Sequence, residues 1–436
     1  MNKKFFIRLF FLYFFLQAVP LDWKFYRELL SIDWIHLRYG ALFNLAHYTP
    51  RWLGDTQQYG DWVIIFLIAL AGTFVWTYIS RHRVMPGTYS DKLYYWGRVI
   101  ARYRLAIAML AYGFLKLYPL QAPYPSLSNL NTNYGDFTRW KLFSLSLGIV
   151  PGYESFLGGV EIVAALLLLY RRSASIGAFI IAVFLGNVYM SNIAYGGGDE
   201  VYSLYLIILA LYVLSYDLQR LANLLIFQRQ AAPGTFKPFF GSLAQRYGRV
   251  ALKTLFVFVF VLLYGFKTGH EGGYQFPVTH GLPGVTGIYN VSLFRIDKDT
   301  LAYSKRDPVR WQDVVFEKWA TLSIRSNRTV ILDSNNVERP LLNDADRTYE
   351  SEGAAGRQYY SYNTDTVNHL LILKNKNPHY KEETMILHYD RPSDGHIILS
   401  GFDQDKDSIY VVLDRVDKRY LLEEAARKGR LGGLKL

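Results

Sequence analysis

The sequence predicts an α-helical membrane bundle of about seven transmembrane helices, followed by a C-terminal all-β barrel or sandwich. Three observations carry this. The 436 residues are 51% hydrophobic and 17% aromatic but only 19% charged, too apolar for a soluble domain, in which roughly a quarter of residues are charged. Charge is also unevenly spread: residues 1–269 hold 25 Lys+Arg against 12 Asp+Glu, whereas residues 270–436 hold 23 against 24. Charge density roughly doubles at that boundary, as it does between a membrane part and a water-soluble part. At the same point long apolar runs give way to short alternating ones.

The net charge of +12 sits among apolar runs, where it reads as membrane topology and not as a phosphate-binding stripe; no nucleic-acid partner is expected. The chain has no Cys. That excludes disulfides, thiolate nucleophiles, Fe–S clusters and Cys-rich zinc sites, so a redox role would need a bound carrier.

A membrane helix needs about 20 apolar residues. Candidate spans are 5–21, 62–80, 97–118, 153–170, 174–195, 200–220 and 251–267. The first follows Lys3 and Lys4 and reads as an uncleaved anchor, because Gln17-Ala18-Val19-Pro20 is a poor signal-peptide cleavage site. With the N-terminus inside, the cytoplasmic connections hold 17 Lys+Arg and the outer ones six. Lys and Arg concentrate on cytoplasmic flanks, so the N-terminus is expected in the cytoplasm and the β domain outside.

Of the outer connections, 22–61 carries Trp23, Trp34 and Trp52. Its Leu29, Leu30, Ile32, Ile35 and Leu37 predict a short helix on the outer surface. The second, 119–152, has Pro119, Pro123, Pro125, Pro151 and Tyr134-Gly135-Asp136, and reads as ordered turns and not a helix.

From residue 270 the alternation predicts strands at Tyr289–Leu293, Leu322–Ile324, Val330–Leu332, Val367–Leu373, Met385–Tyr389, Ile397–Leu399 and Ile409–Leu413, then a helix at Leu421–Arg430. Asp403-Gln-Asp405-Lys-Asp407 resembles the start of a calcium loop. Ser408 stands where the turn wants Gly, however, and the segment reads as a hairpin turn.

For chemistry, Tyr112 and Lys116 are four apart on the third span and share a face. Glu161 follows Gly158-Gly159 on the fourth, and an intramembrane carboxylate requires a partner or a wet cavity. Counting from the outer helix ends, Lys116 and Glu161 reach similar depths, with Asn187, Asn192, Asp199 and Glu200 in the same half. Two readings stay open: a structural ion pair knitting helices, or a polar site for a ligand head group. Arg104, near the cytoplasmic end of its span, is expected to snorkel. Since none of the nine histidines falls inside a predicted span, no haem is expected.

The motifs Tyr112-Gly113-Phe-Leu-Lys116, Gly158-Gly159-Val-Glu161 and Arg171-Arg172 make Arg104–Leu225 resemble the DoxX-like integral membrane protein family. Pro125-Ser-Leu, Tyr134-Gly-Asp136, Asn187-Val-Tyr-Met-Ser-Asn192 and Asp217-Leu-Gln-Arg220 look like the long Gram-negative form with an appended β-rich domain. That domain is similar here in Arg310-Trp311, Tyr389-Asp-Arg391-Pro392 and Asp414-Arg415-Val416-Asp417, and from near Gly287-Ile288-Tyr289 it resembles a lipocalin-like barrel. The resemblance divides the chain into N-terminal spans with an outer amphipathic loop (1–96), a DoxX-like four-helix unit (97–225), a cytoplasmic linker with the last span (226–269) and a periplasmic β-rich domain (270–436). It implies the bacterial inner membrane, and a periplasm-side cavity lined by Lys116, Glu161, Asn187, Tyr112 and Asn192 that binds a quinone or lipid head group. The partners implied are membrane lipids and a larger inner-membrane, redox or respiratory complex. In the alternative the protein is a non-catalytic accessory subunit whose β domain contacts a periplasmic partner.

Overall fold

The computed structural model describes residues 3–54, 58–81, 89–231, 241–334, 340–341, 343–393 and 395–429. His82 and residues 232–240 of the expected cytoplasmic linker lie outside the described residues. The chain divides into two compact units, Met1–Tyr118 with Glu154–Gly272, and Pro119–Tyr153 with Gly273–Leu436.

In chain order the helices are α1 (Lys3–Ala18), α2 (Trp23–Ser31), α3 (Tyr39–Ala46), α4 (Tyr59–Ile79), α5 (Tyr89–Leu117), α6 (Leu127–Leu130), α7 (Arg139–Gly148), α8 (Pro151–Leu169), α9 (Ala174–Tyr195), α10 (Glu200–Leu214), α11 (Leu218–Leu225), α12 (Leu243–Val257), α13 (Tyr264–Glu271) and α14 (Leu421–Lys428). A π-helical turn, Phe258–Leu263, joins α12 to α13.

Among the described residues, five stretches are long and apolar enough to cross a membrane: Lys4–Ser31, Tyr59–Ile79, Pro151–Leu169, Ala174–Tyr195 and Leu243–Glu271. The pair α10 and α11, bent by 74°, makes a sixth if counted as one span. This is the pattern of a membrane protein. The third expected span, 97–118, is not among them, because α5 carries Arg98, Arg102, Arg104 and Lys116. Instead α5 is enclosed, with every residue from Ala101 to Leu115 buried except Tyr103 and Ile107. A helix wrapped by its neighbours offers lipid little surface, so its polar groups are met by protein.

Close packing around α5 rests on small residues. A Cβ on Gly158 of α8 would sit 2.5 Å from the Gly113 carbonyl oxygen of α5. On α13, Gly265 and Gly269 lie against the rings of Phe114 and Tyr118, where a Cβ would approach to 2.7 Å. Gly265 and Gly269 thus form a packing face of α13.

Segment 22–61, expected to carry one short helix, forms two before α4 begins. Asp22 caps α2 by accepting from the Phe25 amide at 2.7 Å, and no residue of α2 is buried. The chain then turns inward: Tyr39, Leu42, Phe43 and Ala46 of α3 are buried. Glu271 accepts from the Tyr39 amide at 3.0 Å. At the start of α4, buried Asp61 accepts from the amide of the N-cap residue Gln58, a donor that a helix start leaves open, and from those of Trp52 and Leu53 in the preceding loop, at 2.8–2.9 Å.

The second unit is built on strands β1 (Gly287–Ile296), β2 (Asp299–Thr300), β3 (Asp313–Phe316), β4 (Thr321–Arg325), β5 (Gln358–Asp365), β6 (Leu370–Asn375), β7 (Thr384–Ser393), β8 (His396–Phe402) and β9 (Ser408–Val416). All pairs are antiparallel, and β9 returns to β1, so eight strands close a barrel while the short β2 pairs only with the end of β1. Closure removes the open edges of the eight barrel strands. Alternate residues such as Tyr289, Leu322, Tyr360, Leu371, Leu387, Leu399 and Val411 form one buried core inside it, as fits a barrel of this strand number.

Three sequence expectations are corrected. Val330–Leu332 is irregular, not a strand. Val367 and His369 belong to the turn before β6, with Val367 84% exposed and His369 at φ 54°. Residues 119–152 contain a ten-residue helix, α7, started by the Thr138 hydroxyl accepting from the Lys141 amide at 3.3 Å. Asp403–Asp407 is the β8–β9 turn, held by Asp403 Oδ1 accepting from the amides of Asp405 and Asp407.

Both faces of β3 and β4 are buried, because Pro119–Tyr153 belongs to this unit. The Glu317 carboxylate accepts from the amides of Leu127 and Ser128 at 3.2 and 2.7 Å. Ser323 donates to the Ser128 hydroxyl at 2.8 Å. Arg357 joins Asp313, Ser323 and the Asn131 carbonyl.

Candidate functional site

In the helical unit Lys116 and Glu161 form an ion pair, with side-chain exposures of 14% and 1%. The helix positions follow from the glycines: Gly113, one turn before Lys116, meets Gly158, one turn before Glu161, so the two side chains leave a close helix crossing together. Lys116 Nζ lies 5.9 Å from the Tyr112 ring centre and 5.4 Å from that of Phe184, distances at which an ammonium is attracted to a ring face.

One Glu161 oxygen takes the lysine, and the other, Oε2, is buried with no hydrogen-bond partner among the described residues. Leaving a buried charged oxygen without a donor costs about 1–3 kcal/mol or more. The arrangement therefore presents a donor and an acceptor side by side between two aromatic rings. The ammonium suits a carbonyl or phosphate oxygen, and the carboxylate oxygen suits a hydroxyl.

Tyr112 is buried and donates to Asp199 Oδ2 at 3.2 Å. Asn192 accepts from the Asp199 amide at 3.3 Å and donates to the Val188 carbonyl at 3.0 Å. These groups connect to the pair through Tyr112. Asn187, three residues beyond Phe184, is exposed, and its carbonyl accepts from the Ser191 hydroxyl at 3.0 Å.

Sequence reasoning missed a neighbouring cluster. His47, read as outside the spans, is buried at 8% exposure just after α3. Its ring lies 4.0 Å from that of Tyr202 and 5.8 Å from that of Tyr112, with Phe43 at 5.7 Å. Arg104 does not snorkel. It is buried and donates to the carbonyls of Ala46 and Tyr48, since α3 brings the negative end of its dipole against α5. The only signal for this in the sequence was the apolar stretch Tyr39–Ala46 between polar neighbours.

At the other end of α5, Arg98 pairs with Asp217 at 3.3 Å, and Asp217 also holds Arg220 at 2.7 Å and the Ser175 hydroxyl. Arg102 donates to the Leu168 carbonyl near the end of α8. These are ties between helices.

The barrel unit buries its own charges where Pro119–Tyr153 meets the 343–357 loop. Lys141 is fully buried, donates to the Tyr349 carbonyl and sits 3.5 Å from the Tyr349 ring centre. Burial drives its ammonium down to about 7, against the pull of Glu352 and Glu350. Lys376 binds Glu350 at 2.6 Å. Burial lifts the Glu317 carboxyl above its ordinary range, opposed by its Ser128 hydrogen bonds.

Comparison with family models, with curated proteins and with solved structures finds no match for this chain.

Proposed function

We propose that this chain is a bacterial inner-membrane protein of the DoxX-like kind, whose helical unit binds a quinone or lipid head group at Lys116 and Glu161 within a redox or respiratory assembly. The observation that carries this is the second Glu161 oxygen, buried and without a donor beside an ammonium flanked by Tyr112 and Phe184. A hydroxyl of a reduced quinone or of a lipid head group supplies the missing donor, and a carbonyl or phosphate oxygen takes the lysine. The test is organic extraction of the purified full-length protein and mass spectrometry of what is released. A quinone or lipid recovered in stoichiometric amount from wild type and lost in Glu161→Gln is the expected result. Equal recovery from both would sink the reading.

The N-terminus lies in the cytoplasm and the barrel unit in the periplasm on this reading. Support comes from the 17-to-6 bias in Lys+Arg and from parity. From Tyr153 to Gly273 the chain runs through α8, α9, α10 and α12–α13. Four crossings return it to the side it left, as two segments of one unit require. A phosphatase fused after Leu436 should be active in the periplasm; activity only of a cytoplasmic reporter would overturn the topology.

One observation favours a second reading, an accessory subunit of a larger membrane complex with the barrel unit contacting a periplasmic partner. The pair sits directly beside the Gly113–Gly158 crossing, where an ion pair locks two helices. In that case Lys116→Met with Glu161→Gln restores the stability lost in either single variant, and no small molecule is released from wild type.

A further inference from the structure

The geometry points to α11 lying in the plane of the membrane surface, its apolar face sunk among acyl chains and its basic neighbours on the head groups of anionic phospholipids. The first observation is the bend. The chain turns by 74° between the predominantly apolar α10 and α11, so whatever bilayer α10 crosses ends within a few residues of the α11 start. The turn is fixed, not loose: Asp217, at its corner, is held by Arg98 of α5, by Ser175 at the start of α9 and by Arg220 of α11 itself.

The second observation is the composition of the helix. Leu218, Leu221 and Leu225 fall on one side at helical spacing, while Gln219, Arg220 and Asn223 fall on the other. No residue of α11 is buried. Leu218, Leu225, Ile226 and Phe227 are 56%, 72%, 72% and 58% exposed. Water is a poor environment for so continuous an apolar strip.

The third is charge. Arg229 follows α11 closely, and the next helix in the chain, α12, carries Arg246 and Arg249 at exposed positions in its first two turns. An amphipathic helix with an apolar strip and basic flanks is the form that settles at an anionic membrane surface, buried by roughly 5–10 Å. Because the strip begins where a membrane-crossing helix ends, the bilayer is the occupant within reach.

The absence of Cys makes the test direct. Single variants Leu225→Cys and Asn223→Cys, both at unburied positions, are spin-labelled in the full-length protein and placed in nanodiscs of phosphatidylcholine alone or mixed with phosphatidylglycerol. Collision with oxygen reports the acyl region, and collision with an aqueous nickel chelate reports water. The expected result is a several-fold higher oxygen-to-nickel ratio at 225 than at 223, larger in the anionic discs. That excess should be lost when Arg246→Gln and Arg249→Gln are added. Nickel access equal at both positions in both lipids would overturn the in-plane placement. An unchanged contrast between the two lipids would overturn the anionic preference. A label shielded from both reagents only in native membranes would show a protein covering the face, and would also overturn it.

Discussion

The guanidinium of Arg104 caps the carbonyl of Ala46, the last residue of α3, from 58 positions away in sequence. A helix end leaves carbonyls without intrahelical partners, and here they fall inside the helical unit where water is scarce. Arg104 also takes the Tyr48 carbonyl, so one side chain fastens the inserted segment and with it His47 above Tyr202.

Arg104→Leu is accordingly expected to destabilise the detergent-solubilised protein by about 3 kcal/mol, since two charge-assisted hydrogen bonds are lost and two buried acceptors are orphaned. Arg104→Lys should recover part of this, because an ammonium reaches one carbonyl at a time. Thermal melting checks it. A variant as stable as wild type would show that α3 is not held by this contact.

The two neighbouring glycines of α8 should behave in opposite ways. A Cβ on Gly158 runs into the backbone of α5, whereas one on Gly159 meets nothing within 4 Å. Gly158→Ala is expected to cost about 1–3 kcal/mol through overpacking, and to separate Lys116 from Glu161. Gly159→Ala should be neutral or slightly stabilising, as alanine favours a helix over glycine by about 1 kcal/mol. Equal melting temperatures for the two variants would refute the close crossing.

Much of this architecture is legible in the sequence. Apolar length marks the outer helices, and alternation marks β1 and β7 to β9, because each shows one face to a core and the other away from it. What fails to show is whatever is buried on both sides. α5 looks like a span interrupted by arginines because its partners are backbone carbonyls elsewhere in the chain. β3 and β4 lack a clear polar face, since Asp313 and Ser323 are covered by Pro119–Tyr153. The pairing of Lys116 with Glu161 follows from depth alone, but the entry of His47 depends on α3 folding inward. No local pattern encodes that.

The alternating strands alone imply a domain, 270–436, that folds without the rest of the chain. The buried outer face of β3 and β4 argues for a larger folding unit. A fragment of residues 270–436 exposes Glu317, Asp313 and Arg357, whose partners include Leu127, Ser128 and Asn131. Supplying residues 119–153 through a flexible linker should raise its melting temperature markedly. A gain of about 3 kcal/mol, the scale of two or three hydrogen bonds to charged groups, corresponds to roughly 6–12 °C for a domain of this size. Identical melts with and without the segment would show that the barrel needs no cover.

Lys141 gives the barrel unit a pH dependence of definite sign. In the unfolded chain a lysine titrates near ~10.4, while in the folded unit burial brings Lys141 down to about 7, with Glu352 and Glu350 opposing. Below pH 7 both states carry the proton, and folding bears the full penalty of burying an ammonium. As pH rises above 7 the folded state sheds the proton while the unfolded state keeps it. The unfolded state then binds more protons, so this group raises stability with pH, by at most about 1.4 kcal/mol per unit. The rise ends near the unfolded value, above which both states are neutral. Lys141→Met removes the titration and fills the same buried space with an uncharged chain of similar length. The variant should therefore be more stable than wild type at pH 6, by a margin that shrinks steadily toward pH 9. Melting of the full-length protein across that range decides it, and a difference between variant and wild type that grows with pH would reverse the assignment.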